Sequence, residues 1–331
     1  MYQANLLRNE EQRKIIESIK AVVPGRFYEI DYTADYYLNE AIECSPATLE
    51  EFNIFAAKYL LNIPATESSL QSVGAGCSVF AGKTMEGEGL LCRNYDYSHE
   101  LTAAILKCHP KDGYKSMGMC DLAFLGMMAG SFEEENADLS GLMLAPYIMV
   151  DGVNEKGVAI ATLELAYPGI YPESNKPRLS TSLVPRLVLD RAATTQEAIE
   201  LLSQYYVVSP MPEYEFHFMI TDSLGVSKVI EFVHGEMKVY DAKYVANEYL
   251  TPYMYNGVEM PRYNMMREYV RHRKGRFSVD EAFSVLRSVH SDKRIGVGDS
   301  ITRWSAVMNL SKKAIDLYYD RDFDNRYHFQ L

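Results

Sequence analysis

A cysteine follows two glycines in Gly74-Ala75-Gly76-Cys77-Ser78-Val79-Phe80, and Arg93-Asn94-Tyr95-Asp96 comes soon after it. The thiol is a nucleophile, an arginine beside it lowers a thiol's pKa, and a carboxylate can accept a proton from an amine or a hydroxyl. Together they read as an autocatalytic amidase. The structural alternative is plain. A cysteine at a strand start is commonly a small buried residue, and an Arg–Asp pair on one strand a surface ion pair of little worth. Cys44, Cys92, Cys108 and Cys120 read as such buried residues.

A hairpin is needed to bring these groups together. Residues 77–83 alternate as a strand, Met85-Glu86-Gly87-Glu88-Gly89 reverses the chain, and residues 90–97 read as the returning strand. That return carries Arg93 and Asp96 back beside Cys77. Gly76 suits a reacting carbonyl because the absence of a side chain permits close approach. Gly74 and Gly76 also read simply as a flexible strand entry.

The segment resembles the cysteine N-terminal-nucleophile (Ntn) hydrolases of the choloylglycine hydrolase and acid ceramidase superfamily, which includes penicillin V acylases. Cys77, Arg93 and Asp96 fall on its Cys and Arg-Asn-x-Asp positions. Val150-Asp151-Gly152-Val153-Asn154-Glu155-Lys156-Gly157 is similar to its strand-turn-strand motif, although Asn154 to Gly157 reads as a structural turn. Glu164 is similar to the acidic site residue of the ceramidase branch, where bile-salt hydrolases carry Asn. The segments around Asn247, Pro261-Arg262-Tyr263 and Thr302-Arg303-Trp304 resemble its later motifs in the same order.

The resemblance implies a set of roles. Cleavage between Gly76 and Cys77 frees an α-amine, with an ordinary pKa near ~8, to serve as the nucleophile's own base. Arg93 would hold the thiolate and orient Asp96, Asp96 would hold the new ammonium, and Asn247 would donate to the oxyanion. Arg262 would brace the network, and Glu164 would bind substrate. The expected reaction is hydrolysis of a linear amide in an N-acyl compound through a Cys77 thioester. Alternatives are an acyltransferase using the same thioester, a bile-salt or penicillin V hydrolase, or a silent acyl-binding family member.

The rest of the chain agrees. Residues 1–76 have a helical texture, with a helix expected over 10–23, a short one over 38–42, and another starting at Ser45-Pro46 and running through 52–61. Residues 28–32 read as an extended piece. This segment is either a propeptide or a small subunit, and 77–331 is the catalytic domain. Strands are expected at 101–109, 147–153, 157–163, 215–222, 227–232, 237–240 and 303–309, with helices over 182–205, 264–273 and 279–289. The pattern is α+β, and the resemblance implies a four-layer αββα sandwich of antiparallel sheets.

Composition narrows the partners. A net charge of −12 over 331 residues argues against nucleic acid and anionic membrane surfaces. Five cysteines without paired spacing suit a reducing, cytoplasmic compartment, and no apolar run reaches membrane-span length. His99 reads as a strand end, and no zinc-type spacing or phosphate-binding glycine loop implies a metal or cofactor. The expected partner is a small N-acyl amide, with a homo-oligomer left open. Sixteen methionines and 25 tyrosines could line an apolar acyl pocket. Met117, Met119, Met127 and Met128, before Glu133-Glu134-Glu135, read either as a mobile loop over a site or as ordinary core and surface.

Overall fold

Two β-sheets stack face to face, and each carries helices on its outer side. The computed structural model describes residues 9–46, 48–61, 76–98, 101–134, 137–165, 171–211, 214–254, 261–292 and 300–331. Expectations attached to Gly74, Ala75, His99 and Glu135 lie outside these residues.

Helix α1 (Glu10–Glu17) leads into strands β1 (Lys20–Val23) and β2 (Phe27–Tyr32), then helices α2 (Leu38–Cys44) and α3 (Leu49–Phe55). The hairpin β3 (Gly76–Lys83) and β4 (Gly89–Tyr97) follows. After it come β5 (Ala103–Cys108), β6 (Ser116–Asp121), β7 (Met149–Asn154) and β8 (Ala159–Leu165). Short β9 (Arg178–Ser180) precedes α4 (Val184–Arg191) and α5 (Thr195–Leu202), and β10 (Tyr206–Val208) pairs back onto β9. Then come β11 (Glu215–Thr221), β12 (Ser227–Val233), β13 (Glu236–Asp241) and β14 (Tyr244–Val245). Helices α6 (Pro261–His272) and α7 (Val279–Ser288) precede β15 (Ile301–Asn309), β16 (Ala314–Tyr319) and β17 (Arg326–Gln330).

One sheet runs β1-β2-β5-β6-β7-β8-β11-β12-β13 and the other β14-β3-β4-β15-β16-β17. Neighbours in both are antiparallel except β2 and β5. Alternation sorts their side chains into layers. Ile105, Met119, Leu163 and Met219 of the large sheet meet Val79, Leu91, Trp304 and Leu317 of the small one in the middle. Leu187 and Leu202 of α4 and α5 pack on Ile160 and Phe218, while Met266 and Leu286 of α6 and α7 pack on Phe80, Leu90 and Val307. Each such fully buried side chain contributes about 1.5–3 kcal/mol. The layering is αββα.

Some details depart from expectation. The first helix stops at Glu17, and Lys20–Val23 is a strand. Ser18 ends the helix there, its Oγ donating to Ile15 O (2.7 Å) while accepting from Asp31 N (3.0 Å) of β2. The third helix starts at Thr48 rather than Ser45-Pro46, because Thr48 Oγ1 accepts from Glu51 N (3.1 Å). Of the methionine stretch, Met117 and Met119 lie on β6 in the middle layer, Met127 is buried among the α4-side residues, and Met128 is exposed. Glu133 latches onto the first strands, accepting from Gly25 N (3.0 Å) and Tyr28 Oη (2.5 Å).

No helix among the described residues is long and apolar enough to cross a membrane.

Candidate active site

The hairpin register decides which side chains meet. Cys77 lies opposite Tyr95, Val79 opposite Arg93, and Gly76 opposite Asp96. Residues 77, 79, 93 and 95 therefore face the middle layer, and 76, 78, 94 and 96 face α6 and α7. Arg93 and Asp96 are three positions apart on one strand, so they point to opposite faces.

Arg93 reaches Cys77 as expected, but it does not orient Asp96. Its Nη2 donates to Cys77 Sγ (3.1 Å) and to Thr162 O (2.8 Å) on β8. Its Nη1 donates to Val150 O (2.5 Å) and Asp151 Oδ2 (3.2 Å) on β7. Arg93 thus pairs with Asp151, and the two side chains are only 1% and 0% exposed. Asp151 also accepts from Trp304 Nε1 (3.2 Å) and Met119 N (3.3 Å), so one carboxylate joins the two sheets behind the thiol. Burial pushes the Asp151 carboxyl up, and its contacts with Arg93 and Trp304 work against that. Burial also pushes the Cys77 thiol above its ordinary value, more strongly than Arg93 pulls it down, and Asp96 adds to the rise. Arg93 thus lowers the thiol as expected, but burial outweighs it in the continuous chain.

On the other face, Asp96 is held by Arg262 Nη2 at Oδ2 and by Thr302 Oγ1 (2.5 Å) at Oδ1. Arg262, from the first turn of α6, also donates to Ser78 Oγ (3.1 Å) and Val289 O (2.8 Å). Asp96 stands over Gly76. A Cβ there would lie 2.9 Å from Ser300 Oγ and 3.2 Å from Asp96 Oδ2. A side chain at 76 would crowd Ser300 and this carboxylate, so glycine suits the position.

Asn247 also lies against Cys77. Its Oδ1 accepts from Cys77 N (2.5 Å), and its Nδ2 donates to Glu164 O (2.7 Å). In the uncut chain the amide thus meets Cys77 through its oxygen, with its nitrogen on the Glu164 carbonyl. Two buried residues of the large sheet hold this segment. His217 Nε2 meets Ala246 O (2.9 Å), and its Nδ1 faces Glu231 Oε1 (3.4 Å). Glu231 accepts from Leu250 N (2.6 Å), Thr251 N (3.0 Å) and Thr251 Oγ1 (2.7 Å). Burial pushes Glu231 up, but His217 and these donors outweigh it and hold the carboxyl below its ordinary value. Asp151, Thr302, His217 and Glu231 escaped the sequence reading. Asp151 stood inside a quoted motif, and His217 and Glu231 each interrupt an apolar strand, a pattern that marks a buried polar partner.

Cys77, Arg93 and Glu164 line one cavity of about 160 Å³. Much of its remaining wall is apolar or aromatic, including Tyr95, Phe124, Tyr147, Met211 and Phe216. Glu164, mostly buried, thus faces the nucleophile's pocket and not solvent. Tyr95 is fixed by stacking on Trp304 (ring centroids 4.1 Å) and by donating to Asp121 Oδ2 (3.0 Å).

That contact has a pH signature. Burial pushes the Asp121 carboxyl up to about 7. Between about 3.9, its unfolded value, and about 7 the folded chain binds a proton that the unfolded chain has released. The stability from this group is therefore present at low pH and lost as pH rises through that window. Thermal melts of wild type and Asp121→Asn across the window are expected to show the wild type losing ground to the variant as pH rises. A constant difference would contradict the assignment.

The model of the linear amide C–N hydrolases, choloylglycine hydrolase family, matches residues 77–272. The chain belongs to this family. A stretch of 103 residues is 37% identical to a penicillin V acylase from Pectobacterium atrosepticum, covering 28% of this chain and 27% of that protein. This choloylglycine hydrolase family member thus spans about a quarter of that curated relative's length. Among solved structures, a variant of conjugated bile acid hydrolase from Clostridium perfringens superposes with a TM-score of 0.58 at 17% identity, over 77% of this chain and 92% of that one. Penicillin V acylase from Agrobacterium tumefaciens gives 0.55 at 18%, over 77% and 86%. At these identities the two structures speak for the fold alone, the αββα sandwich.

Proposed function

We propose that this family member hydrolyses linear amides of N-acyl compounds with Cys77 as nucleophile, after cutting its own Gly76–Cys77 bond. One observation carries the reading: Cys77 has its sulfur on Arg93, its backbone nitrogen on Asn247 Oδ1, and an apolar cavity in front of both.

In the first reaction Cys77 Sγ attacks the Gly76 carbonyl carbon, the C–N bond breaks, and the acyl chain passes to sulfur as a thioester. Water then cleaves the thioester, giving a Gly76 carboxylate, a free thiol and a Cys77 α-amine. Asn247 Oδ1 is already positioned to hold that amine, and Asp96 lies beside the same peptide to balance its charge. In the second reaction the amine, with an ordinary pKa of about 8, takes the thiol proton as sulfur attacks the substrate carbonyl. The leaving amine departs with that proton. Water hydrolyses the acyl-thioester and releases the acid. Arg93 stabilises the thiolate, and Arg262 keeps Asp96 in place.

The upstream piece fits a retained subunit better than a discarded one. Strand β2 is paired along its length with β5, and Phe27, Ile30 and Tyr32 are fully buried. Losing it would expose those side chains and one edge of the large sheet.

The processing step has a steric test. Gly76→Ala places a Cβ against Ser300 and Asp96, so scission is expected to slow strongly. Gel analysis of freshly expressed protein should show mainly uncut chain; full cleavage would contradict the close approach.

Activity is tested with phenoxyacetyl and fatty-acyl amides as probes, the first because the curated relative is named a penicillin V acylase. Amine release, with an acyl group trapped on the fragment that starts at Cys77, is the expected result. Turnover without acylation of that fragment would refute the thioester.

A further inference from the structure

The cavity at Cys77 is not built by the catalytic domain alone. Pro46 and Phe52, both upstream of the Gly76–Cys77 bond, line it together with Cys77, Arg93 and Glu164. Phe52 lies on α3 and meets Tyr147 edge to face (ring centroids 5.6 Å, interplanar angle 88°), and Tyr147 lines the same cavity. Phe55, one turn on, packs on Tyr147 in the same manner (5.8 Å, 85°).

The chain that leads into α3 is fixed to the body of the protein. Ser45 Oγ donates to Arg178 O (2.5 Å), Tyr36 Oη to Asp190 Oδ2 (2.6 Å), and Tyr32 Oη to Met143 O (2.8 Å). Tyr147 Oη in turn donates to Tyr36 O. The contact between upstream segment and acyl cavity is therefore a packed aromatic joint. A side chain so held sets the size of what fits beside it.

We propose that the upstream segment supplies a wall of the acyl pocket, with Phe52 as the residue that sets acyl size. The proposal rests on the hydrolase reading and deepens it. The acyl group on Cys77 occupies the cavity, its carbon chain or ring packs against Phe52, and the cleaved piece remains a working part of the enzyme. The ligand class is an apolar carboxylic acyl group, alkyl or aryl. Pockets of this kind discriminate by one or more methylenes, so the volume of residue 52 translates into chain-length preference.

The test uses the full chain in two assays. In turnover, kcat/KM is measured for butanoyl to dodecanoyl amides with wild type, Phe52→Ala and Phe52→Trp. Phe52→Ala is expected to raise the long-to-short ratio about tenfold or more, and Phe52→Trp to lower it by a similar factor. Phe52→Leu gives the same direction with a smaller effect if the alanine variant folds poorly.

In binding, the free acids of the same lengths are titrated against Cys77→Ala with and without Phe52→Ala, a readout that needs no turnover. Unchanged length preference in both assays overturns the proposal. So does a failure of every acid to bind. Shifted acid binding with no hydrolysis by wild type keeps the wall and overturns the hydrolase reading instead.

Discussion

Replacing Cys77 with alanine is expected to abolish scission at Gly76 and amide turnover together. Removing the nucleophile of a comparable acyl-transfer site costs about 10⁶-fold in kcat, so residual activity should be at background. The two losses should coincide because one sulfur attacks both carbonyls. Cys77 is almost wholly buried on the middle-layer face, and its side chain fills space beside Arg93. Its removal is expected to leave the fold intact, which far-UV circular dichroism checks. Cys77→Ser keeps the shape with a poorer nucleophile and should slow both reactions. Full activity in Cys77→Ala would place the chemistry elsewhere.

Asp151→Ala is expected to be the most damaging substitution for stability near the site. The carboxylate is the ion-pair partner of a fully buried arginine, and it also accepts from Trp304 and Met119. Removing one member of such a pair leaves an uncompensated charge, at a cost of about 3–5 kcal/mol. Arg93 would also lose the contact that aims it at Cys77, so kcat should fall even under conditions where the variant is folded. Asp151→Asn keeps an acceptor for Trp304 but not the charge, and should lie between the two. Urea unfolding followed through Trp304, the single tryptophan, measures the stability, and amine release the activity. Wild-type stability in Asp151→Ala would mean that Arg93 is satisfied without it.

Much of this site is legible in the sequence. The β3–β4 hairpin, with its apolar alternation and glycine turn, has little choice but to return Arg93 to Cys77. The odd spacing of Arg93 and Asp96 also carried their separation onto opposite faces, since side chains alternate with period two. With period-two alternation, Arg93 cannot orient Asp96 directly. Asp151 was hidden for a different reason. Its importance comes from β7 lying opposite β4 in the other sheet, a long-range pairing that no local pattern encodes.

The same holds for the upstream segment. Residues 28–32 looked extended, but nothing nearby in sequence says that they pair with β5. Lys20–Val23 continued a helical periodicity that the β2 hairpin overrides. Ser116–Asp121 contains Gly118 and two methionines, a composition that suits a loop, yet it forms β6. Its glycine is needed there because a Cβ would lie 2.0 Å from Asp151 O on the neighbouring strand.

The most direct test of the central claim is the intact mass, under denaturing conditions, of a preparation that turns over an N-acyl amide. The account predicts two pieces, residues 1–76 and 77–331, with the second beginning at a free Cys77 amine. Turnover by a single uncut chain would contradict it, because the base that activates Cys77 would then not exist.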